Sequence, residues 1–167
     1  MDFRDSIIAY YRGERSESAL LFLLGILLLI ASIAIWRNMG ANDMLRGLFY
    51  PTVFLTAIAI FAGGFNAWNN DKRLKTFLPD YDRDAQAFVS REKERFEGSS
   101  GVNKWWLPLK ITWSLLLVAG VAMTFITKRD FVHGIALGLI MLGFFGMVVD
   151  GFAQRRAEIY TEVLMQQ

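Results

Sequence analysis

The apolar and polar positions divide the chain into four long apolar runs separated by charged stretches. Residues 19–36 (ALLFLLGILLLIASIAIW), 47–65 (GLFYPTVFLTAIAIFAGGF), 111–127 (ITWSLLLVAGVAMTFIT) and 131–149 (FVHGIALGLIMLGFFGMVV) contain no Asp, Glu, Lys or Arg. A helix rises about 1.5 Å per residue, so about 20 residues cross a hydrocarbon core of roughly 30 Å. With their flanking Trp and Lys residues the runs predict spans at about 19–37, 46–67, 105–127 and 131–150. Trp36, Trp68, Trp105 and Trp106 fall at span ends, where indole rings favour the headgroup level.

Outside the spans the pattern becomes that of helices with one apolar stripe. Phe3, Ile7, Ile8 and Tyr11 share a helical face before the first span, and Tyr81, Ala85, Phe88, Val89 and Phe96 share one before the third. The second span is expected to run on through "NAWNNDKRLKTFL" until Pro79 ends it, with Asp80 or Asp82 capping the next helix. Arg91, Lys93, Glu94, Arg95 and Glu97 read as a solvated face, and "GSSG" at 98–101 as a flexible connection. Mixed rather than strongly basic charge favours packing of these two segments over a membrane-surface position.

The chain also repeats itself. Residues 45–68 (LRGLFYPTVFLTAIAIFAGGFNAW) align without a gap on 132–155 (VHGIALGLIMLGFFGMVVDGFAQR) at an offset of 87, matching Arg46-Gly47 to His133-Gly134 and Gly64-Phe65 to Gly151-Phe152. The unit reads as amphipathic helix, span, span. Two spans return the chain to its starting side, so the copies are parallel repeats about an axis along the membrane normal. The expected fold is an all-α integral membrane protein of two parallel helix-hairpin repeats, about 1–78 and 79–167, with amphipathic cytoplasmic helices.

In lipid, helices meet through small residues that let backbones approach. Ala59, Gly63 and Ala67 stand at four-residue spacing in the second span. In the fourth, Gly134 and Gly138 form one small face, while Gly143 and Gly146 form another together with Ala136, Asp150 and Ala153. One face is expected to serve the chain's own bundle and the other a second copy. Pro51 and Pro108 lie near the starts of their spans, where a missing N–H costs least.

Composition agrees with the pattern: 54% hydrophobic, 14% aromatic and 20% charged residues. The absence of cysteine excludes disulfides and thiolate chemistry, and one histidine leaves no imidazole metal cluster. A net charge of +2, with basic and acidic residues intermixed beside the spans, does not point to nucleic acid. Residues 1–18 carry four acids and no small-residue cleavage site, so the amino terminus is expected to stay. Thirteen Lys and Arg lie on the side of the termini and linker, against Arg37, Arg46, Lys128 and Arg129 on the other. Basic loops remain inside, which predicts an inner-membrane protein with both termini cytoplasmic. Lys110, near the start of the third span, reaches the interface along its stem.

Catalytic signals are missing: no phosphate loop, no Ser-His-Asp set and no metal-ligand spacing. His133 reads as a polar anchor at the outer end of the fourth span. Ser32, Thr52, Thr56, Thr112, Ser114 and Thr124 make up the intramembrane polar set, and all are able to hydrogen-bond their own helix. Asp150 carries two readings, an interfacial carboxylate satisfied by Arg155, Arg156 or a neighbouring helix, or a proton or cation site facing Gly63. The expected function is non-enzymatic and cofactor-free, through contacts with a protein partner or further copies in the lipid bilayer, as in toxin immunity or membrane-complex scaffolding. The rival is a homo-oligomeric channel or small-solute transporter with Asp150 near its cytoplasmic mouth.

Overall fold

A computed structural model describes residues 2–167, all helical and without a strand among the described residues. The helices are α1 (Phe3–Asn38), α2 (Asp43–Arg83), α3 (Ala85–Glu97), α4 (Trp106–Ile126) and α5 (Asp130–Met165), with a 3-10 turn at Val102–Trp105 before α4. Four helical stretches are long and apolar enough to cross a membrane, contributed by α1, α2, α4 and α5.

Length sets the architecture. At about 1.5 Å per residue the 21 residues of α4 span about 32 Å, while α1 and α5 with 36 residues reach about 54 Å and α2 with 41 about 62 Å. Three helices therefore project far beyond a hydrocarbon core. The start of α1 and the ends of α2 and α5 project on one side and gather with α3 into a cap.

On the opposite side the turns are short. Gly40 takes φ +27° between α1 and α2, a backbone state that side chains rarely adopt, and Asn42 caps α2 by accepting from the Leu45 N–H at 3.0 Å. Between α4 and α5, the Arg129 N–H donates to Thr127 Oγ1 at 3.2 Å.

Three boundaries differ from the sequence expectation. Pro79 does not end α2, which continues to Arg83. The proline removes one backbone hydrogen bond, but Phe77, Leu78 and Tyr81 around it pack into the cap core and hold the helix together. The cap of α3 is consequently Asp84, which accepts from the Ala87 N–H at 3.0 Å, and not Asp80 or Asp82. Pro51 lies two turns inside α2 rather than in its first turn, because Asn42 starts the helix four residues ahead of the expected span.

In the membrane layer α1 packs on α2, α2 on α5, and α5 on α4, while α1 and α4 make no close backbone approach among the described residues. Each contact runs over glycine. A β-carbon on Gly25 would lie 2.8 Å from the Ile60 nitrogen, and one on Gly63 2.5 Å from the Phe22 nitrogen, fixing α1 against α2. One on Gly120 would lie 2.7 Å from the Ala136 oxygen, and one on Gly143 equally close to the Trp113 oxygen, fixing α4 against α5. At the α2–α5 crossing, Gly47 abuts the Phe131 carbonyl, Gly134 abuts the Met44 carbonyl, and Gly138 lies on the Pro51 ring. The hydroxyl oxygens of Ser32 in α1 and Thr56 in α2 also lie 3.2 Å apart, close enough for either to donate to the other in place of the carbonyl of its own helix at 2.8 Å.

The cap core is largely aromatic. Phe3, Ile7 and Tyr11 of α1, Phe88 and Phe96 of α3, and Tyr160 and Leu164 of α5 are buried together. Among them lies Glu92, 3% exposed. It accepts from Tyr160 Oη at 3.1 Å, from Tyr11 Oη at 3.4 Å, and from the Arg95 guanidinium at 2.9 and 2.7 Å. Arg95 is therefore turned inward, contrary to its assignment to a solvated face. Glu92, four residues from both Phe88 and Phe96, draws it onto the apolar stripe.

Because backbone fills the place a side chain would occupy, Gly134→Leu should separate α2 from α5 and lower stability by about 3 kcal/mol or more. Gly151, with nothing within 4 Å of its would-be β-carbon, provides the contrast. Gly151→Ala should raise stability by about 0.5–1 kcal/mol through helix propensity. Unfolding of both variants in detergent checks the pair.

Candidate functional site

The small residues singled out in the sequence all lie on α2 and α5, and most are engaged within the chain. Ala59 is fully buried beside Gly25, and Gly63 meets Phe22 and the Ser18 carbonyl of α1. Gly134 and Gly138 face α2, whereas Gly143 and Gly146 face Trp113 and Leu117 of α4. Ala67 is partly buried. Both small-residue faces of α5 are thus occupied by the chain's own helices, and neither is left for a second copy.

Asp150 is one turn beyond Gly146 on the same side of α5. Its Oδ2 accepts from the Trp113 indole N–H at 2.5 Å, so its partner comes from a neighbouring helix rather than from the following arginines. Arg155 reaches Glu158 at 3.8 Å, and Arg156 crosses to α1, where it binds Glu14 at 2.8 Å and also pairs with Glu17. Gly63 does not face Asp150, because it is covered by α1.

Asp150 opens instead onto a cavity of about 220 Å³ at the cap end of the spans. α2 and α5 form its back through Leu55, Ile58, Ala59 and Ala62 and through Leu142, Phe145 and Gly146. Leu21 and Leu24 of α1 flank one side, and Trp113 of α4 the other. From Leu142 to Arg156 the cavity follows α5 for about 21 Å, from the apolar layer to the charged cap. At the cap end it is bounded by Glu14, Glu17 and Arg156, whose stem lies 2.8 Å from a β-carbon built on Gly13.

Glu14 and Glu17 therefore share one guanidinium, and Asp150, bonded to the Trp113 indole, adds a third carboxylate to a site with mostly apolar walls. Burial pushes the Glu17 carboxyl above the ordinary range, Arg156 opposes the shift, and the Glu14 and Asp150 carboxylates add to it. One Glu17 oxygen is buried without a hydrogen-bond donor in suitable geometry, although Arg156 stands beside it. No hydrogen bond reaches the other oxygen of Asp150, Oδ1, among the described residues. His, Cys, Asp and Glu form no group of three or more able to hold a metal ion among the described residues.

Asp150 was legible in the sequence as a lone carboxylate closing a span. Trp113, Glu14 and Glu17 were not singled out. The signal for Glu17 was its position directly before an uncharged run, on a helix continuous with the span. Trp113 stood inside a span rather than at its end, which sets it apart from the interfacial tryptophans. No family model, curated protein or solved structure matches the chain, so the cavity is interpreted from its own chemistry.

A raised carboxyl pKa means that the folded state holds the proton more tightly than the unfolded chain. Stability from Glu17 is therefore full below its ordinary value of 4.5 and is lost as pH rises through the folded value. Thermal unfolding in detergent should show a decline over that window, and Glu17→Gln should flatten it.

Proposed function

We propose that the protein is a non-enzymatic inner-membrane protein that binds a small cationic solute in the cavity beside Asp150, in the manner of a transporter. The observation that carries this reading is the charge balance of the cavity. Glu14, Glu17 and Asp150 against Arg156 leave an excess of negative charge within apolar walls. Carboxylates beside apolar walls are costly unless compensated, and a cation supplies the compensation. Internal engagement of the glycine faces takes away their support for a partner-binding role and shifts the weight to the cavity.

The two-repeat reading is supported by contacts that obey the same offset of 87 as the sequence match. Gly47 and Gly134 are related by it, as are the residues they abut, Phe131 and Met44. Pro51 meets its own counterpart, Gly138, and the counterparts Leu55 and Leu142 share one buried cluster. Such contacts are those of two like halves turned about a common axis along the bundle. The orientation with the cap in the cytoplasm rests on its surplus of Lys and Arg.

A second reading, an intramembrane protein partner or scaffold contact, is favoured by α4. Gly120 alone is buried along this helix, and Leu107, Ile111, Leu115, Val118 and Phe125 form an exposed stripe away from α5.

The test is uptake or binding of cations by protein reconstituted in lipid vesicles. Asp150→Asn keeps an acceptor for the Trp113 indole while removing the charge. It should reduce cation binding or flux by about tenfold or more, the scale of a lost charged contact. Equal activity of the variant, or recovery of the protein from membranes only with a foreign protein at fixed ratio, would count against the cavity and for the α4 contact.

A further inference from the structure

We infer that the ligand of this cavity is a lipophilic organic monocation, a protonated or quaternary amine carrying one short apolar or aromatic group, and that it enters sideways from the lipid between α1 and α4. The inference rests on the cavity being a cation site and adds the ligand's class and route.

The walls argue for the apolar part. Leu24, Leu55, Leu142 and Phe145 lie deep along the cavity and offer no donor or acceptor side chain to a hydrated inorganic ion. Charge argues for the head group. Asp150 has one neutral partner, the Trp113 indole, while its Oδ1 accepts nothing among the described residues. Asp150 also pairs with Trp113 rather than joining the Glu14–Glu17–Arg156 group, and no metal-ligand group occurs among the described residues. An ammonium group needs no inner coordination shell and is suited to one carboxylate beside an aromatic ring.

Size limits the choice. A volume of about 220 Å³ lies below the roughly 300–1,000 Å³ of pockets for drug-sized ligands, so the occupant has on the order of ten non-hydrogen atoms.

The route follows from the order of the helices. α2 and α5 close the back of the cavity. Toward the cap, Arg156 bridges α5 to Glu14 and Glu17 of α1. α1 and α4 flank the remaining side without close backbone approach among the described residues. That side faces hydrocarbon at the level of the spans. An amphiphilic cation partitions there, whereas a strongly hydrated ion does not.

The experiment is equilibrium binding to the full chain in lipid nanodiscs with four probes: benzyltrimethylammonium, its uncharged isostere neopentylbenzene, tetramethylammonium and sodium. Benzyltrimethylammonium should bind saturably. Tetramethylammonium and neopentylbenzene should each be weaker by about tenfold or more, since each lacks one of the two recognised features. Asp150→Asn should weaken benzyltrimethylammonium to a similar degree. Ala62→Leu, which fills the cavity without touching a charge, should do so as well while unfolding at an unchanged temperature. Equal binding of the uncharged isostere, indifferent to Asp150→Asn, would overturn the inference in favour of an apolar site for a lipid chain. Sodium binding that requires Asp150 without benzyltrimethylammonium binding would overturn it and leave the cation-site reading standing. Binding of none of the probes would overturn both.

Discussion

The structure depends on the approach of two backbones, α2 and α5, at Gly47 and Gly134. Lipid offers helices no hydrophobic reason to associate, so cohesion comes from dispersion contacts over areas where no side chain intervenes. Each of these glycines lies against a carbonyl of the opposite helix, and the Pro51 ring fits over Gly138 one turn further along. With α2 and α5 joined at the centre, α1 is added to the free side of α2 over Gly25 and Gly63, and α4 to the free side of α5 over Gly120 and Gly143. A row grown outward from one central pair leaves its two ends unjoined. The gap between α1 and α4, and with it the open side of the cavity, follows from that spatial order.

Close packing in lipid does not by itself fix where the long helices end, and the cap supplies that second constraint. Its core draws residues from α1, α2, α3 and α5, so the projecting ends cannot splay without exposing Phe3, Phe96 or Tyr160 to water. The buried Glu92 adds direction. Its carboxylate is matched by two tyrosine hydroxyls from α1 and α5 and by Arg95 from its own helix, a satisfied network that a slipped register would leave unpaired. The cap thereby places Glu14, Glu17 and Arg156 at the mouth of the spans, as the last charged layer before the apolar one.

Much of the membrane layer was legible in the sequence because hydrocarbon imposes a rule with few solutions: about 20 uncharged residues per span. Ser32, Thr52 and Thr56 bond back to carbonyls of their own helices, as hydroxyls within a span are able to do. What escaped were features decided by tertiary contact. Pro79 breaks a helix when judged locally, yet the cap core holds α2 together across it. Arg95 belongs to a charged surface by composition, and only the burial of Glu92 explains its inward turn. The pairing of Trp113 with Asp150 joins residues 37 positions apart, and no local periodicity connects them.

The comparison of the halves bears most directly on function. If the chain is two like halves, the positions lining the cavity from α2 recur on α5, with Ile58, Ala59 and Ala62 answering to Phe145, Gly146 and Val149. The correspondence fails at one chemically decisive place. The first half has Gly63, on which α1 lies so closely that no side chain fits. The second half has Asp150, and α4 stands off from it by the length of an indole ring. A symmetric bundle would have closed both sides alike. Here α1 lies directly on Gly63 by backbone contact, whereas at the matching position on the α4 side a carboxylate meets a tryptophan side chain beside the cavity. Packing alone is better satisfied by the glycine solution. A charge and a cavity where glycine would close the fold depart from the rule that builds the rest of the membrane layer, and locally costly choices of that kind are the ones expected at functional sites.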